Sequence, residues 1–226
     1  MGEPILLPGG RDARGTLDVA GGSDNAASPV DACVVACPPH PEHGGHRGDR
    51  RLRAVSEALR ARDVDCLRFD YGPWDGGRGE RTDVRRAVAW ARERYDRVAL
   101  FGYSFGGSVA LSAAARGAAV VAVAALAPAS RVGAAREDPE APDDERIGGV
   151  DVVADLPAIT EQTDVQVLYG TRDDVVDVVP VVECARAHGH SITEFPAAHG
   201  LVGQTSDVAT AVAEFFRPAL HAVEPR

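Results

Sequence analysis

Ser104 lies between Gly102 and Gly106 in "RVALFGYSFGGSVALSAAARG", residues 97–117, where an apolar run gives way to an alanine-rich one. The spacing G-x-S-x-G is what a chain needs to hold a hydroxyl at the tip of a sharp strand-to-helix turn. A serine hydroxyl is a weak nucleophile by itself. It needs a base to take its proton and a third group to orient that base. "VLYGTRDD" puts Asp173 just beyond an apolar run, and "FPAAHGL" puts His199 in the loop after the last one. In a parallel sheet the loops at the carboxyl ends of the strands share one edge, so the three residues can converge there. A lone G-x-S-x-G is a weak signal. Ser, then Asp, then His, each just past a strand, is a strong one.

Other assignments compete for these roles. Ser104 could be a helix N-cap after a glycine turn, a position that serine suits. Asp174 stands beside Asp173, but the G-T-x-D spacing favours Asp173, and Asp177 reads as part of the following helix start. His188 and His190 flank a helix end, where cations are stabilised, and His221 lies in the C-terminal tail. His40, His43 and His46 recur at three-residue intervals, but in a Pro/Gly-rich loop that does not put them on one helical face. They are not read as a metal site. Asp70 reads as a hydrogen-bonding residue at a strand end. Glycines 72, 76, 77 and 79 read as turn residues, since no Gly-Lys-Ser/Thr helix start follows them.

These residues need a scaffold. Short apolar runs alternate with segments of helical period, the signature of a parallel sheet covered on both faces. The strand candidates are "PILLP", "GTLDVA", "DACVVAC", "CLRFDY", "RVALFGY", "AVVAVAALAP", "VQVLYG" and "SITEF". Helices are expected over Asp49–Arg62 (face Leu52, Val55, Leu59), through Val84–Tyr95 after the glycine-rich "GPWDGGRGE", after Ser104, around 179–188, and at the C-terminus on Val208, Val212, Phe215 and Phe216. Residues 129–150, with "REDPEAPDDERIGG", are too polar for core and are expected to form a lid or surface excursion. Residues 1–226 are expected to form one domain.

With these elements placed, the chain resembles the α/β hydrolases over nearly its whole length. "PPHPEHGG", "LRFDYGPWDGGRGE" and "GYSFGG" are similar to segments of the dienelactone-hydrolase-like, or predicted-hydrolase, branch at similar spacing. The chain departs from that branch twice. Pro38 stands where the usual His-Pro-His-Pro loop begins with histidine, and Ser104 stands where dienelactone hydrolases carry cysteine. The resemblance implies an eight-stranded, mostly parallel α/β-hydrolase sheet. It also implies a Ser104–His199–Asp173 triad that cleaves a carboxylic ester or related acyl bond through an acyl-enzyme, without a cofactor. Two main-chain N–H groups should hold the oxyanion. One comes from Phe105, after the nucleophile, and one from the loop after the third strand. That loop reads Pro38-Pro39-His40-Pro41, and proline has no N–H, so His40 is the donor within it. An acyltransferase on the same triad and a non-catalytic binding protein are the alternatives.

Composition narrows the field. The chain has 226 residues, a formal net charge of −10, and 24 basic residues, every one of them arginine. The absence of lysine excludes Schiff-base, pyridoxal-phosphate, Ser-Lys and P-loop chemistry. The acidic balance argues against a nucleic-acid partner, and no run is long enough to span a bilayer. An acidic, lysine-free chain suits a high-salt cytoplasm; GC-rich coding would also produce it. "MGEPILLPGGRD" has no basic region followed by an apolar one, so a soluble cytoplasmic protein is expected. Cys33, Cys37, Cys66 and Cys184 form no CxxC pair and read as buried small hydrophobes.

Overall fold

The computed structural model describes residues 2–21, 31–133 and 149–221. Eight strands form one sheet. They are β1 (Glu3–Leu6), β2 (Arg14–Asp18), β3 (Ala32–Cys37), β4 (Asp65–Asp70), β5 (Arg97–Tyr103), β6 (Ala122–Leu126), β9 (Asp164–Gly170) and β10 (Ser191–Phe195). Their order is β1-β2-β4-β3-β5-β6-β9-β10. β1 and β2 pair antiparallel, as do β2 and β4, and every other pair is parallel. The eight strands are those the apolar runs mark out. The runs of the central strands β3, β5 and β6 are continuous because both faces are covered. In β3, Cys33, Val35 and Cys37 enter one core layer, whereas Val34 and Ala36 enter the other.

Helices α1 (Arg50–Arg60) and α6 (Thr205–Leu220) pack on one face through Leu52, Val55, Leu59, Val208, Val212 and Phe216. The side chain of Asp49 starts α1 by accepting the Arg51 N–H at 2.8 Å. Helices α2 (Arg78–Arg92), α3 (Phe105–Ala115) and α5 (Val179–Ala187) cover the other face. α3 is buried on every side from Phe105 to Ala114, as a helix apolar all round must be. It lies between the sheet, α2 and the short helix α4 (Val152–Asp155).

Three details differ from the pattern expected of the sequence. α2 begins at Arg78, so the end of the glycine-rich connection is already helical, with Glu80 accepting the Gly77 N–H at 2.8 Å. α5 begins at Val179, so Asp177 lies before it. A two-stranded ribbon, β7 (Arg131–Val132) with β8 (Val150–Asp151), sits at the two ends of the expected lid. The acidic stretch 137–145 itself lies outside the described residues. No helix among the described residues is long and apolar enough to cross a membrane.

Candidate active site

Strand β5 ends at Tyr103, and the next residue turns the chain sharply. Ser104 has φ 55° and ψ −122°, a positive-φ conformation that is strained for a side-chain-bearing residue. Its N–H donates to the Leu126 carbonyl at 2.7 Å, and its own carbonyl accepts from Gly107 and Ser108. The flanking glycines make the turn sterically feasible. A Cβ on Gly102 would lie 2.6 Å from the Gly107 nitrogen, and one on Gly106 would lie 2.7 Å from the Cys37 carbonyl carbon and nearer still to the Cys37 and Pro38 oxygens. The first turn of α3 therefore rests directly on the main chain that leaves β3.

Ser104 occupies the N-cap position of α3, but its hydroxyl makes no cap hydrogen bond. Instead Oγ lies 3.0 Å from His199 Nε2. His199 Nδ1 lies 2.8 Å from Asp173 Oδ2. An ionised carboxylate can only accept, so the proton on this imidazole sits on Nδ1, leaving Nε2 to accept from the serine. The Asp173 side chain is 1% exposed and that of His199 14%. The other Asp173 oxygen accepts the N–H groups of Val175 and Val176 at 3.0 and 3.3 Å, which fixes the carboxylate. The neighbouring Asp174 is exposed.

The loop carrying His199 is held from the α1 side, by residues that the sequence did not single out. The Tyr103 hydroxyl donates to the His199 carbonyl at 3.1 Å. Arg50 and Arg51 donate to the Gly200 carbonyl at 3.0 and 3.1 Å. The Arg51 guanidinium also lies 3.9 Å from the Tyr103 ring centre, and Asp49 binds it in turn. The Tyr103 ring is 5.3 Å from the His199 ring. Burial pushes the Tyr103 hydroxyl pKa up, which keeps it a donor. The pairings with the His199 loop have no local sequence signature, since the partners are 96 to 150 positions apart.

Phe105 is the first residue of α3, and its N–H is one of those that a helix leaves without an internal partner. His40 lies in the loop after β3, and its carbonyl turns inward to accept from His43 and Gly45. The side chains of these two residues meet, their rings 5.0 Å apart. Burial, and then the neighbouring His43, push the His40 pKa down, so the ring is neutral at pH 7. His46, the third histidine of that loop, has its Nδ1 engaged by the Gly48 N–H at 3.0 Å. Asp70 takes the Arg47 N–H and guanidinium at the end of β4. Cys33, Cys37 and Cys66 are buried and Cys184 is half-buried, all with free thiols.

A hollow of about 430 Å³ is lined by Pro157, Asp164, His190 and Ser191 among others. It lies at the amino ends of β9 and β10, the opposite edge of the sheet from Ser104. Parallel sheets bind ligands at the carboxyl edge, so this hollow is not the site of a reaction at Ser104.

No protein-family model matches the chain, and no curated protein does. Solved structures do. The chain is similar to an α/β serine hydrolase without a lid from Xanthomonas campestris at 21% identity and a TM-score of 0.72, over 98% of this chain and 96% of that one. It is similar to Est1E from Butyrivibrio proteoclasticus at 17% identity and a TM-score of 0.75, over 98% and 100%. It is similar to an esterase from Pyrococcus furiosus at 16% identity and a TM-score of 0.73, over 97% and 92%. The chain has the α/β-hydrolase fold.

Proposed function

We propose that the protein is a serine hydrolase that cleaves a carboxylic ester or related acyl bond of a small molecule. The observation that carries this reading is the chain of contacts from Ser104 Oγ through His199 to Asp173, at 3.0 and 2.8 Å. Ser104 Oγ attacks the carbonyl carbon while Nε2 of His199 takes its proton. The imidazolium is stabilised by the buried Asp173 and returns the proton to the leaving oxygen as the tetrahedral intermediate collapses. Water, deprotonated by the same histidine, then releases the acid from the acyl-enzyme. The N–H groups of Phe105 and His40 hold the oxyanion, where losing one donor costs about 10²–10³ in turnover.

The names of its structural neighbours support this reading. They include serine hydrolases and esterases, one of them holding ferulic acid. The proposal includes a single domain working without a cofactor, in a cytoplasm whose salt suits a net charge of −10.

Fluorophosphonate labelling read by intact mass tests it. The wild type should gain one adduct in high salt, Ser104→Ala should gain none, and only the wild type should hydrolyse simple esters. A folded wild type that neither labels nor hydrolyses would overturn the assignment in favour of a binding domain. Ester products in place of acid when alcohols are added would make the enzyme an acyltransferase.

A further inference from the structure

The loop between β4 and α2 is held with unusual firmness. Its Gly72 N–H donates to Asp83 at 3.0 Å, and the Asp75 and Gly77 N–H groups donate to the two oxygens of Glu80 at 2.9 and 2.8 Å. Arg11, from the turn between β1 and β2, binds Asp83 at 2.9 Å and the Pro73 carbonyl at 2.5 Å. Both carboxylate side chains are fully buried. Taking two carboxylates out of water is unfavourable and adds little net stability, so the network is better explained by what it positions. Past Tyr71, the only large side chain that the loop carries is Trp74.

Trp74 lies against both residues proposed to donate their N–H groups to the oxyanion. Its ring is 4.4 Å from that of His40 and 5.5 Å from that of Phe105. His43 also stacks on His40, at 4.4 Å and 22°. Phe105 and Tyr71 are buried behind, whereas Trp74, His40 and His43 keep exposed surface. The result is a run of aromatic rings that reaches Ser104 through its chain neighbour Phe105. Phe105 and Tyr71 belong to the core layer on one face of the sheet, whereas Tyr103, whose ring lies 5.3 Å from that of His199, belongs to the layer on the other. His199 must reach the leaving oxygen, so the leaving group is assigned to its side and the acyl group to the aromatic side.

We propose that the Trp74–His40 wall is the acyl-binding face of the site, and that it selects esters of planar acids, aromatic or conjugated, over saturated acids of equal size. The inference rests on Ser104 being the nucleophile. Rings stack on a flat partner and a cyclohexane does not, and one such aromatic contact supports a preference of about 3- to 10-fold.

The kinetic test compares p-nitrophenyl benzoate with p-nitrophenyl cyclohexanecarboxylate, each kcat/KM divided by the rate constant for hydroxide to remove intrinsic reactivity. The wild type should favour the benzoate by about 3- to 10-fold, and Trp74→Leu should bring that ratio towards one. A corrected ratio of one in the wild type would overturn the proposal. So would a Trp74→Leu enzyme that loses both activities equally, since Trp74 would then only prop the loop.

A binding test on Ser104→Ala separates this proposal from the hydrolase reading. The folded variant is titrated with methyl benzoate and with methyl cyclohexanecarboxylate, following tryptophan fluorescence, and Trp74→Phe in the same background isolates the Trp74 signal from that of Trp90. Tighter binding of the benzoate with quenching of Trp74 supports the wall, even if the wild type hydrolyses neither ester. Equal affinities, or a Trp74 signal that does not respond, refute it.

Discussion

A methyl group at residue 106 should disable the site more than it damages the fold. Gly106 is in the first turn of α3, where alanine by propensity is favoured over glycine by roughly 0.5–1 kcal/mol. Against this, the added Cβ would stand 2.7 Å from the Cys37 carbonyl carbon, when ordinary contact begins at 3.4 Å, and closer still to two carbonyl oxygens. The helix start and the β3 loop must therefore part by at least 3.4 − 2.7 = 0.7 Å. Both partners are main chain, one of them a proline, so neither can swing aside. Overpacking of this kind costs about 1–3 kcal/mol, which outweighs the propensity gain. The same movement separates the Phe105 N–H from that of His40, and a misplacement of about 1 Å can lower turnover on the order of 10²-fold. The assay is kcat on an active ester, with urea unfolding of the same sample. Gly107→Ala is the internal comparison. Its Cβ would lie 3.2 Å from the Gly102 oxygen, only 3.4 − 3.2 = 0.2 Å inside contact, so its turnover should stay within about threefold of wild type. A Gly106→Ala enzyme with wild-type kcat and raised stability would refute the claim that this approach sets the oxyanion geometry.

Tyr103→Phe removes the hydrogen bond to the His199 carbonyl while keeping the ring, and should cost about 1 kcal/mol in stability and several-fold in kcat/KM. The Asp18 carboxyl is pushed up by burial but lowered overall by its hydrogen bonds to Arg68 and Ser56. A folded pKa below the unfolded one stabilises at pH above the unfolded value near 3.8, and that increment is lost as pH falls through the lowered value. Asp18→Asn should therefore be less stable than wild type in urea at pH 7, the two curves converging as pH drops below 3.8. Burial raises the thiols of Cys33 and Cys37, and pushes that of Cys66 up to about 12. Burial raises the Cys184 thiol as well, but Cys184 alone of the four is partly exposed, so a thiol reagent should modify only Cys184 in the native protein, and all four cysteines in urea.

The scaffold was legible because burial on both faces writes the central strands β3, β5 and β6 as nearly unbroken apolar runs, and the eight apolar-rich segments are the eight strands of the sheet. The region of the site was legible because the Ser, Asp and His loops each follow a parallel strand, and such loops share an edge. Pieces without period were not. β7 and β8 are two residues each, too short for alternation to show, and α4 is a single turn that runs straight into a 3-10 turn at Leu156–Ala158. The start of α2 was hidden because Arg78, Gly79 and Glu80 carry no apolar stripe. A Cβ on Gly79 would meet the Arg11 guanidinium, a contact 68 residues away in sequence. Arg50, Arg51 and Tyr103 were unreadable for the same reason. Their roles depend on α1 lying beside the loop after β10, which only the strand order decides.

The β7–β8 ribbon has a consequence for how this protein could change. Arg131 pairs with Asp151 and Val132 with Val150, so the chain departs at Gly133 and returns at Gly149 side by side, with a Cβ on Gly133 falling 3.4 Å from the Gly149 Cα. The sheet and α4 are anchored outside that junction, and Ser108 of α3 is tied to the Ala129 carbonyl just before it. Whatever sequence joins the two glycines closes a loop whose ends are already matched, and doubling its length adds only about 0.6 kcal/mol of closure entropy. The junction is therefore a socket. Segments of different length and charge can be exchanged through it, by evolution or by an engineer, without renegotiating the core.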